Sequence, residues 1–365
     1  MKKRLVSLDV IRMIAILLVI TIHSASFCFS GGKLLVFNAL GTIGVPLFVI
    51  LSGYLLLDRD FNGLYLNKFI GRNLLPLAIA YFFWVFIWYV LSRFFGFLPI
   101  GLPPQDIQYT ITEALFLNPT NNGLWYLPML VALYLGTPIV SIFLHRREGA
   151  DRIDCYSLLL GMLIAAFGVV VPTASTILRM LQSGVQFNPV LNFNIFSADV
   201  WGYSVWIFYY LAGYFIKKIH QRHLLPSKRA SFACLILGTV LLIVWHFIKS
   251  RHGIQFEVEY SNIFVAFASI FLFIFILEID FSKGDNICEV ISKGAAFLSK
   301  HSFGIYLIHF WVIALLGPVF QSFFSGFLCF SVLFSAVLTL SIIICKIIST
   351  SKHLSKCLLL IKPKE

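Results

Sequence analysis

Long apolar runs, separated by short polar or basic segments, repeat along the whole chain. A run of about 20 apolar residues is long enough for an α-helix to cross the hydrocarbon core of a bilayer. The pattern predicts ten such helices, at 8–27, 36–57, 72–93, 124–144, 157–178, 201–217, 231–249, 260–279, 300–321 and 325–348. The predicted fold class is therefore all-α, a polytopic transmembrane helix bundle. It has a single membrane-embedded domain over 1–350 and a basic cytoplasmic tail over 351–365.

Composition strengthens the membrane prediction. Hydrophobic residues make up 59% of the chain and charged residues 12%, with a mean hydropathy of +0.90. A soluble domain has about 25% charged residues, so lipid is needed to cover much of this apolar surface. The seven cysteines are scattered without metal-type spacing, which predicts neither a zinc or other metal site nor a disulfide framework.

The basic residues set the predicted orientation. If the N-terminus is cytoplasmic, 22 of the 28 Lys and Arg residues lie in cytoplasmic segments, 5 lie on the other side, and Arg12 lies within the first span. This asymmetry agrees with the positive-inside rule and predicts that both termini are cytoplasmic. The formal net charge of +12 is thus a topology signal that gives no support for a nucleic-acid partner. Basic cytoplasmic loops also suit anionic membrane lipid or the phosphates of CoA.

The first predicted span contains three ionisable residues, Asp9, Arg12 and His23. Such residues are costly within a bilayer and are therefore functional candidates. Arg12 and His23 are 11 residues apart, close to three helical turns, which places them on one face about 16 Å apart along the axis. Asp9 lies three residues before Arg12 and can pair with it. The alternative is a snorkelling Arg12 with a hydrogen-bonded core histidine.

Two later spans hold further candidates. His309 lies within the ninth predicted span, with Tyr306 one turn earlier on the same face; the alternative is a packed histidine. In the second span, Ser52-Gly53 permits a close helix approach or a local opening, so that a packing notch and a ligand role are both open.

A basic pair precedes the third predicted span. Lys68 and Arg72 are four residues apart, and Pro76 follows. On an α-helix this spacing forms one basic face at the cytoplasmic surface. Positive-inside anchoring is the ordinary interpretation, and a clamp for phosphate groups is the more specific one.

Five segments, spread over nearly the whole chain, resemble acyltransferase family 3 membrane proteins. They are Ser7-Leu8-Asp9-Val10-Ile11-Arg12 with His23, Gly44 to Tyr54, Lys68 to Pro76, Leu124-Trp125-Tyr126-Leu127, and Ser302-Phe303-Gly304-Ile305-Tyr306-Leu307-Ile308-His309. The first segment fits a signature of that family's first helix, in which ten residues separate an Arg from a His. The chain departs from the family pattern in having Gly123 where a histidine is frequent, and Lys68 where two adjacent arginines are frequent. It is similar to the stand-alone members.

The resemblance implies an integral membrane O-acyltransferase of the bacterial cytoplasmic (inner) membrane. It moves an acyl group, usually acetyl, from cytoplasmic acyl-CoA to a hydroxyl of a surface glycan or a polyprenyl-linked sugar, such as O-antigen of lipopolysaccharide or an enterobacterial common antigen precursor. Acetyl-CoA is then a co-substrate, and no bound cofactor is expected. The implied residues are His23, His309 and Tyr306 for catalysis, Arg12, Lys68, Arg72 and Ser52 for acyl-CoA, and Asp9 to orient Arg12.

Two other functions are compatible with the same residues. A transporter or flippase of lipid-linked sugars would also place basic side chains within the membrane. In a structural membrane component, the histidines would be core residues. Acyl-CoA binding separates the first alternative from the enzyme, and a specific loss of activity on replacing His23 separates the second.

Overall fold

The computed structural model describes residues 5–95, 111, 123–145, 155–181, 203–254, 259–281 and 286–360. Within these ranges all regular structure is helical. The helices are α1 (Val6–Cys28), α2 (Gly31–Thr42), α3 (Gly44–Leu56), α4 (Gly63–Phe69), α5 (Leu75–Phe95), α6 (Tyr126–His145), α7 (Cys155–Ala165), α8 (Val171–Leu181), α9 (Tyr203–Gln221), α10 (Lys228–Arg251), α11 (Ile263–Leu277), α12 (Asn286–Phe323), α13 (Gly326–Ile348) and α14 (Lys352–Leu359). π-Helical turns at Ile70–Leu74 and Ala166–Val170 join α4 to α5 and α7 to α8.

The predicted all-α membrane fold is confirmed. Each of the ten predicted segments coincides with helix, and in the described part of the chain eight helical stretches are long and apolar enough to cross a membrane. The predicted spans 201–217 and 260–279 are not among these eight stretches. The first coincides with α9, which carries Lys217 and Lys218 near its end, and the second with α11, which has only 15 residues. The count of ten spans stays a prediction.

The described helices form two compact units. The first unit contains Met1–Ile22, Ser30–Asp60 and Thr137–Ser299, and the second contains His23–Phe29, Phe61–Gly136 and Lys300–Glu365. The prediction of a single membrane-embedded domain over 1–350 stays a prediction.

In the first unit, α3 and α9 approach until their backbones touch. A Cβ placed on Gly53 would lie 1.8 Å from the Tyr210 carbonyl oxygen, and one on Gly213 would lie 2.1 Å from the Ile50 carbonyl oxygen. Small residues allow this approach, and the van der Waals packing it creates is one of the forces that hold helices together in lipid. The sequence allowed either a packing notch or a ligand role at Ser52-Gly53. The close helix approach is confirmed, and the ligand role stays a prediction.

A largely buried ion pair joins Lys249 of α10 to Glu259, which precedes α11, in the first unit. Lys249 donates to Glu259 at 2.8 Å, and Thr176 and Trp245 also donate to this carboxylate, at 3.0 and 3.4 Å. Burial alone would raise the pKa of Glu259, but the charge of Lys249 and these hydrogen bonds together lower it from its ordinary 4.5. Glu259 is therefore held as a carboxylate.

In the second unit, the tail begins as a packed helix. The Trp84 indole of α5 donates to the Leu358 carbonyl oxygen at 3.0 Å. A Cβ on Gly304 would lie 2.8 Å from a methyl group of Leu359, so α12 and α14 are also in close contact. Residues 351–360 therefore form packed structure, and residues 361–365 lie outside the described ranges.

Candidate active site

The N-terminal half of α1 carries a polar cluster in the first unit. The Ser299 hydroxyl donates to Asp9 Oδ1 at 2.7 Å and accepts from Arg12 Nη1 at 2.8 Å. Asp9 and Arg12 approach to 4.0 Å, so the predicted pairing is present and Ser299 bridges it. Asp9 is buried, whereas the Arg12 side chain is 31% exposed. The sequence did not single out Ser299, because a serine 290 residues from Asp9 has no local pattern that marks it.

The C-terminal half of α1 brings His23 to His309 in the second unit. The two ring centroids are 5.3 Å apart, and Phe310 packs edge-on against His23 at 5.6 Å. His309 is 1% exposed, whereas His23 keeps part of its surface accessible. Both histidines were sequence candidates, and the structure places them side by side although 286 residues separate them. Their catalytic role stays a prediction.

The hydrogen bonds of His309 define which nitrogen can act as a base. Its Nδ1 faces the carbonyl oxygens of Ile305, at 3.2 Å, and Tyr306, at 2.5 Å. Carbonyl oxygens only accept, so Nδ1 carries the proton and the lone pair of the neutral ring lies on Nε2. His309 Nε2 is buried and has no hydrogen-bond partner among the described residues. Leaving a buried acceptor unpaired costs about 1–3 kcal/mol, which a proton donor from a substrate would recover.

Tyr306 holds the polypeptide around this histidine pair. Its hydroxyl donates to the Gly123 carbonyl oxygen at 3.0 Å, and its ring packs against Tyr126 at 5.1 Å and His309 at 5.7 Å. The hydroxyl proton is thus hydrogen-bonded to the backbone of the turn that precedes α6. The geometry favours a positioning role for Tyr306, and its predicted catalytic role stays a prediction.

The ring of Trp88 occupies the space that a side chain at Gly123 would need. A Cβ at this position would lie 2.5 Å from the Trp88 ring. Trp88 packs against Phe310 at 5.5 Å and Trp311 at 4.9 Å, which extends the aromatic wall beside His23. This contact gives a physical reason for the departure from the family's frequent histidine. The sequence did not identify Trp88 or Trp311, since an aromatic residue in an apolar span is ordinarily a packing residue.

Several further polar atoms in the second unit are buried without a partner among the described residues. They include Ser24 Oγ, next to His23 in sequence, and the indole nitrogens of Trp88 and Trp311. Buried polar groups are normally hydrogen-bonded, so unpaired ones need an explanation, such as a catalytic role or a bound water or ion. The donors and acceptors around the two histidines therefore suit a polar ligand.

The basic motif before α5 has an unusual backbone. Pro76 has no N–H, so the Arg72 carbonyl lacks its normal helical donor, and the chain forms the π-helical turn Ile70–Leu74, closed by Leu75 N–H bonding to Ile70. Such turns occur frequently at functional sites. Lys68 and Arg72 are both exposed. They lie in the second unit, whereas Arg12 and Ser52 lie in the first, and their predicted roles toward acyl-CoA stay predictions.

Ser52 has a local hydrogen-bond partner. Its hydroxyl donates to the Phe48 carbonyl oxygen of the same helix at 2.9 Å.

Among the described residues, no group of three or more His, Cys, Asp or Glu side chains could hold a metal ion.

Comparison with known proteins identifies the family. The Acyltransferase domain of acyltransferase family 3 matches residues 5–346, nearly the whole chain. No curated protein and no solved structure matches this chain. The family match covers α1 with His23, the basic motif at Lys68 and Arg72, and α12 with His309. With its apolar helices, the protein therefore belongs to acyltransferase family 3 and is a membrane acyltransferase.

Proposed function

We propose that the protein transfers an acyl group, most simply acetyl, from cytoplasmic acyl-CoA to a hydroxyl of a cell-surface or lipid-linked glycan in the bacterial cytoplasmic membrane. The observation that carries this proposal is the contact between His23 and His309, beside which the lone pair of His309 Nε2 has no partner among the described residues. An acyl transfer to a hydroxyl requires a base at the reacting atoms, and a neutral imidazole is the side chain best suited to that task.

In the proposed reaction, the acceptor hydroxyl oxygen attacks the thioester carbonyl carbon. Its O–H bond breaks and the proton passes to an imidazole nitrogen of the pair, with His23 as the leading base. The C–S bond then breaks, and the CoA thiolate takes the proton to leave as the free thiol. General-base assistance of this kind contributes typically about 10²–10⁴-fold to the rate. His309, with Nδ1 held by the helix backbone, keeps Nε2 available for the hydroxyl or for the ring of His23.

The aromatic side chains support a sugar acceptor. Trp88, Phe310 and Trp311 form a continuous wall beside His23, and the N–H donors of the two indoles have no acceptor within the described part of the chain. Such surfaces combine an apolar face with a polar edge, which suits the alternating C–H and hydroxyl groups of a sugar ring. Family membership favours acyl transfer over the alternative of a transporter or flippase of lipid-linked sugars.

The donor end of the proposal rests on basic side chains. Arg72 is exposed and lies on a π-helical turn, so its guanidinium is available for bidentate bonds to CoA phosphates. Arg12 is already engaged with Ser299 and Asp9, so replacing it would also disturb the environment of a buried carboxylate. Arg72→Ala is therefore the cleaner variant for a donor-binding measurement, with a loss of affinity that is larger at low salt.

The decisive experiment is transfer from labelled acetyl-CoA to membrane glycan by purified, reconstituted protein, with mass analysis of the product. We expect His23→Gln to lose at least about 10²-fold in rate with acyl-CoA affinity unchanged, as for removal of a general base. His246→Gln is the matched control, because His246 is a buried histidine of α10 in the first unit. Near-normal rates in His23→Gln would make His309 the leading base, and near-normal rates in both His23→Gln and His309→Gln would refute the proposed site.

A further inference from the structure

Two cysteines from opposite ends of the chain meet in the second unit. Cys28, the last residue of α1, lies with its Sγ 2.9 Å from the Sγ of Cys329, in the first turn of α13. Aromatic contacts hold the same two helix ends together, because Phe29 packs against Phe327 at 5.1 Å and Phe330 at 5.6 Å. The contact is between thiols, and a disulfide bond is about 2.0 Å long, so closure needs a movement of about 1 Å.

The charge distribution assigns this pair to the outer side of the membrane. Lys2, Lys3 and Arg4 precede α1, which places its other end, with Cys28, on the far side. No Lys or Arg occurs between Lys300 and Lys346, a stretch that includes the turn from α12 to α13. Both cysteines lie within a turn of these outer ends. The outer face of a bacterial cytoplasmic membrane is an oxidising compartment, where disulfides form and persist.

We propose that Cys28 and Cys329 form a disulfide bond that ties the outer end of α1 to the start of α13. The bond forms by exchange with a disulfide-bearing protein oxidant. Cys28 is half-buried and attacks that disulfide as a thiolate, which releases one oxidant thiolate and leaves a mixed disulfide. The buried Cys329 thiolate then attacks Cys28 Sγ and releases the second. Two thiols lose two protons and two electrons in total, and the oxidant's disulfide becomes a dithiol.

The bond has a direct structural consequence for the histidine pair. Cys28 is five residues after His23 on α1, a rise of about 7.5 Å. A covalent link at Cys28 therefore limits any displacement of His23 along or away from its neighbours in the second unit. The sequence predicted no disulfide framework, and a single pair separated by 301 residues has no spacing motif that would reveal it.

Thiol counting on protein taken directly from cells tests the proposal. Cells are quenched with a membrane-permeant maleimide in denaturant, and the protein is then reduced and labelled with a mass-tagged maleimide. We expect two tags on the wild-type protein after reduction and none without it. Proteolysis without reductant should also yield a linked peptide pair that contains Cys28 and Cys329. The double variant Cys345→Ser/Cys357→Ser is the matched control and should keep both tags.

The single variant Cys28→Ser removes the bond and frees its partner. It should lose both tags, because Cys329 is then a thiol and reacts in the first, quenching step. This readout is made in denaturant and does not depend on folding or on acyl transfer, so it stands apart from the proposed function. The proposal is overturned if both wild-type thiols react with the quenching maleimide in cells, or if Cys28→Ser still carries two tags.

Discussion

Replacing Gly213 by Ala should separate α3 from α9 and destabilise the first unit. The added Cβ would lie 2.1 Å from the Ile50 carbonyl oxygen and 2.6 Å from the Tyr54 backbone nitrogen. Both obstacles are backbone atoms of α3, which cannot rotate aside as a side chain could. Real Cβ atoms essentially never come within 3.0 Å of another heavy atom, so the helices must move apart by about 0.9 Å along the line to Ile50.

The magnitude follows from two opposing effects. Overpacking a well-packed site costs typically about 1–3 kcal/mol, and a clash with backbone belongs at the upper end. Alanine gains up to about 1 kcal/mol over glycine in a helix interior. We therefore expect Gly213→Ala to lower the free energy of unfolding by about 2 kcal/mol. The movement would also strain hydrogen bonds that join these helices to neighbours, such as Thr137 to Tyr210 at 2.7 Å.

Thermal unfolding in one fixed detergent measures this effect. Gly136→Ala in α6 is the matched control, because a Cβ there meets nothing within 4 Å and the helix propensity gain should leave the midpoint unchanged or slightly higher. Gly53→Ala should resemble Gly213→Ala, and the double variant should cost less than the sum, since the first substitution already separates the helices. Equal midpoints for Gly213→Ala and Gly136→Ala would refute the backbone contact.

Two further predictions concern charge. Since the folded-state pKa of Glu259 is lowered from 4.5, the stabilisation it provides is present above pH 4.5 and is lost as the pH falls through the folded value. The unfolding midpoint should therefore drop below pH 4.5, and Glu259→Gln should flatten that part of its pH dependence; parallel curves would contradict this. For orientation, an impermeant maleimide added outside should label Lys33→Cys and not Lys228→Cys, and labelling of both from one side would contradict the predicted topology.

Apolar run length predicted the helices well, because each membrane helix satisfies its own backbone hydrogen bonds. It was less informative for α9 and α11. α9 carries Lys217 and Lys218, which share Asp58 at 3.0 and 2.6 Å. A carboxylate from the turn after α3 therefore offsets a charge density that hydropathy alone disfavours. Pro76 was noted in the sequence, but the π-helical turn that precedes it is visible only in the structure.

The candidate site was predicted residue by residue and not as an assembly. His23 and His309 stood out because ionisable groups in apolar helices are rare. Their contact, and the bridge that Ser299 makes between Asp9 and Arg12, depend on tertiary packing between segments almost 300 residues apart. The sequence alone does not distinguish Trp88 and Trp311 from packing residues, whereas in the structure their buried indole nitrogens have no partner in the ranges described.

The two histidines differ in a way that bears on their roles. His309 is buried, and its ring is fixed by backbone bonds at Nδ1, so it presents one nitrogen in one orientation. His23 is partly accessible, and its ring packs against the rings of His309 and Phe310. A base that must meet an incoming hydroxyl benefits from access, whereas a residue that orients it benefits from rigidity. This asymmetry favours the proposal that His23 is the base at the reacting atoms and that His309 orients it, and both roles stay predictions.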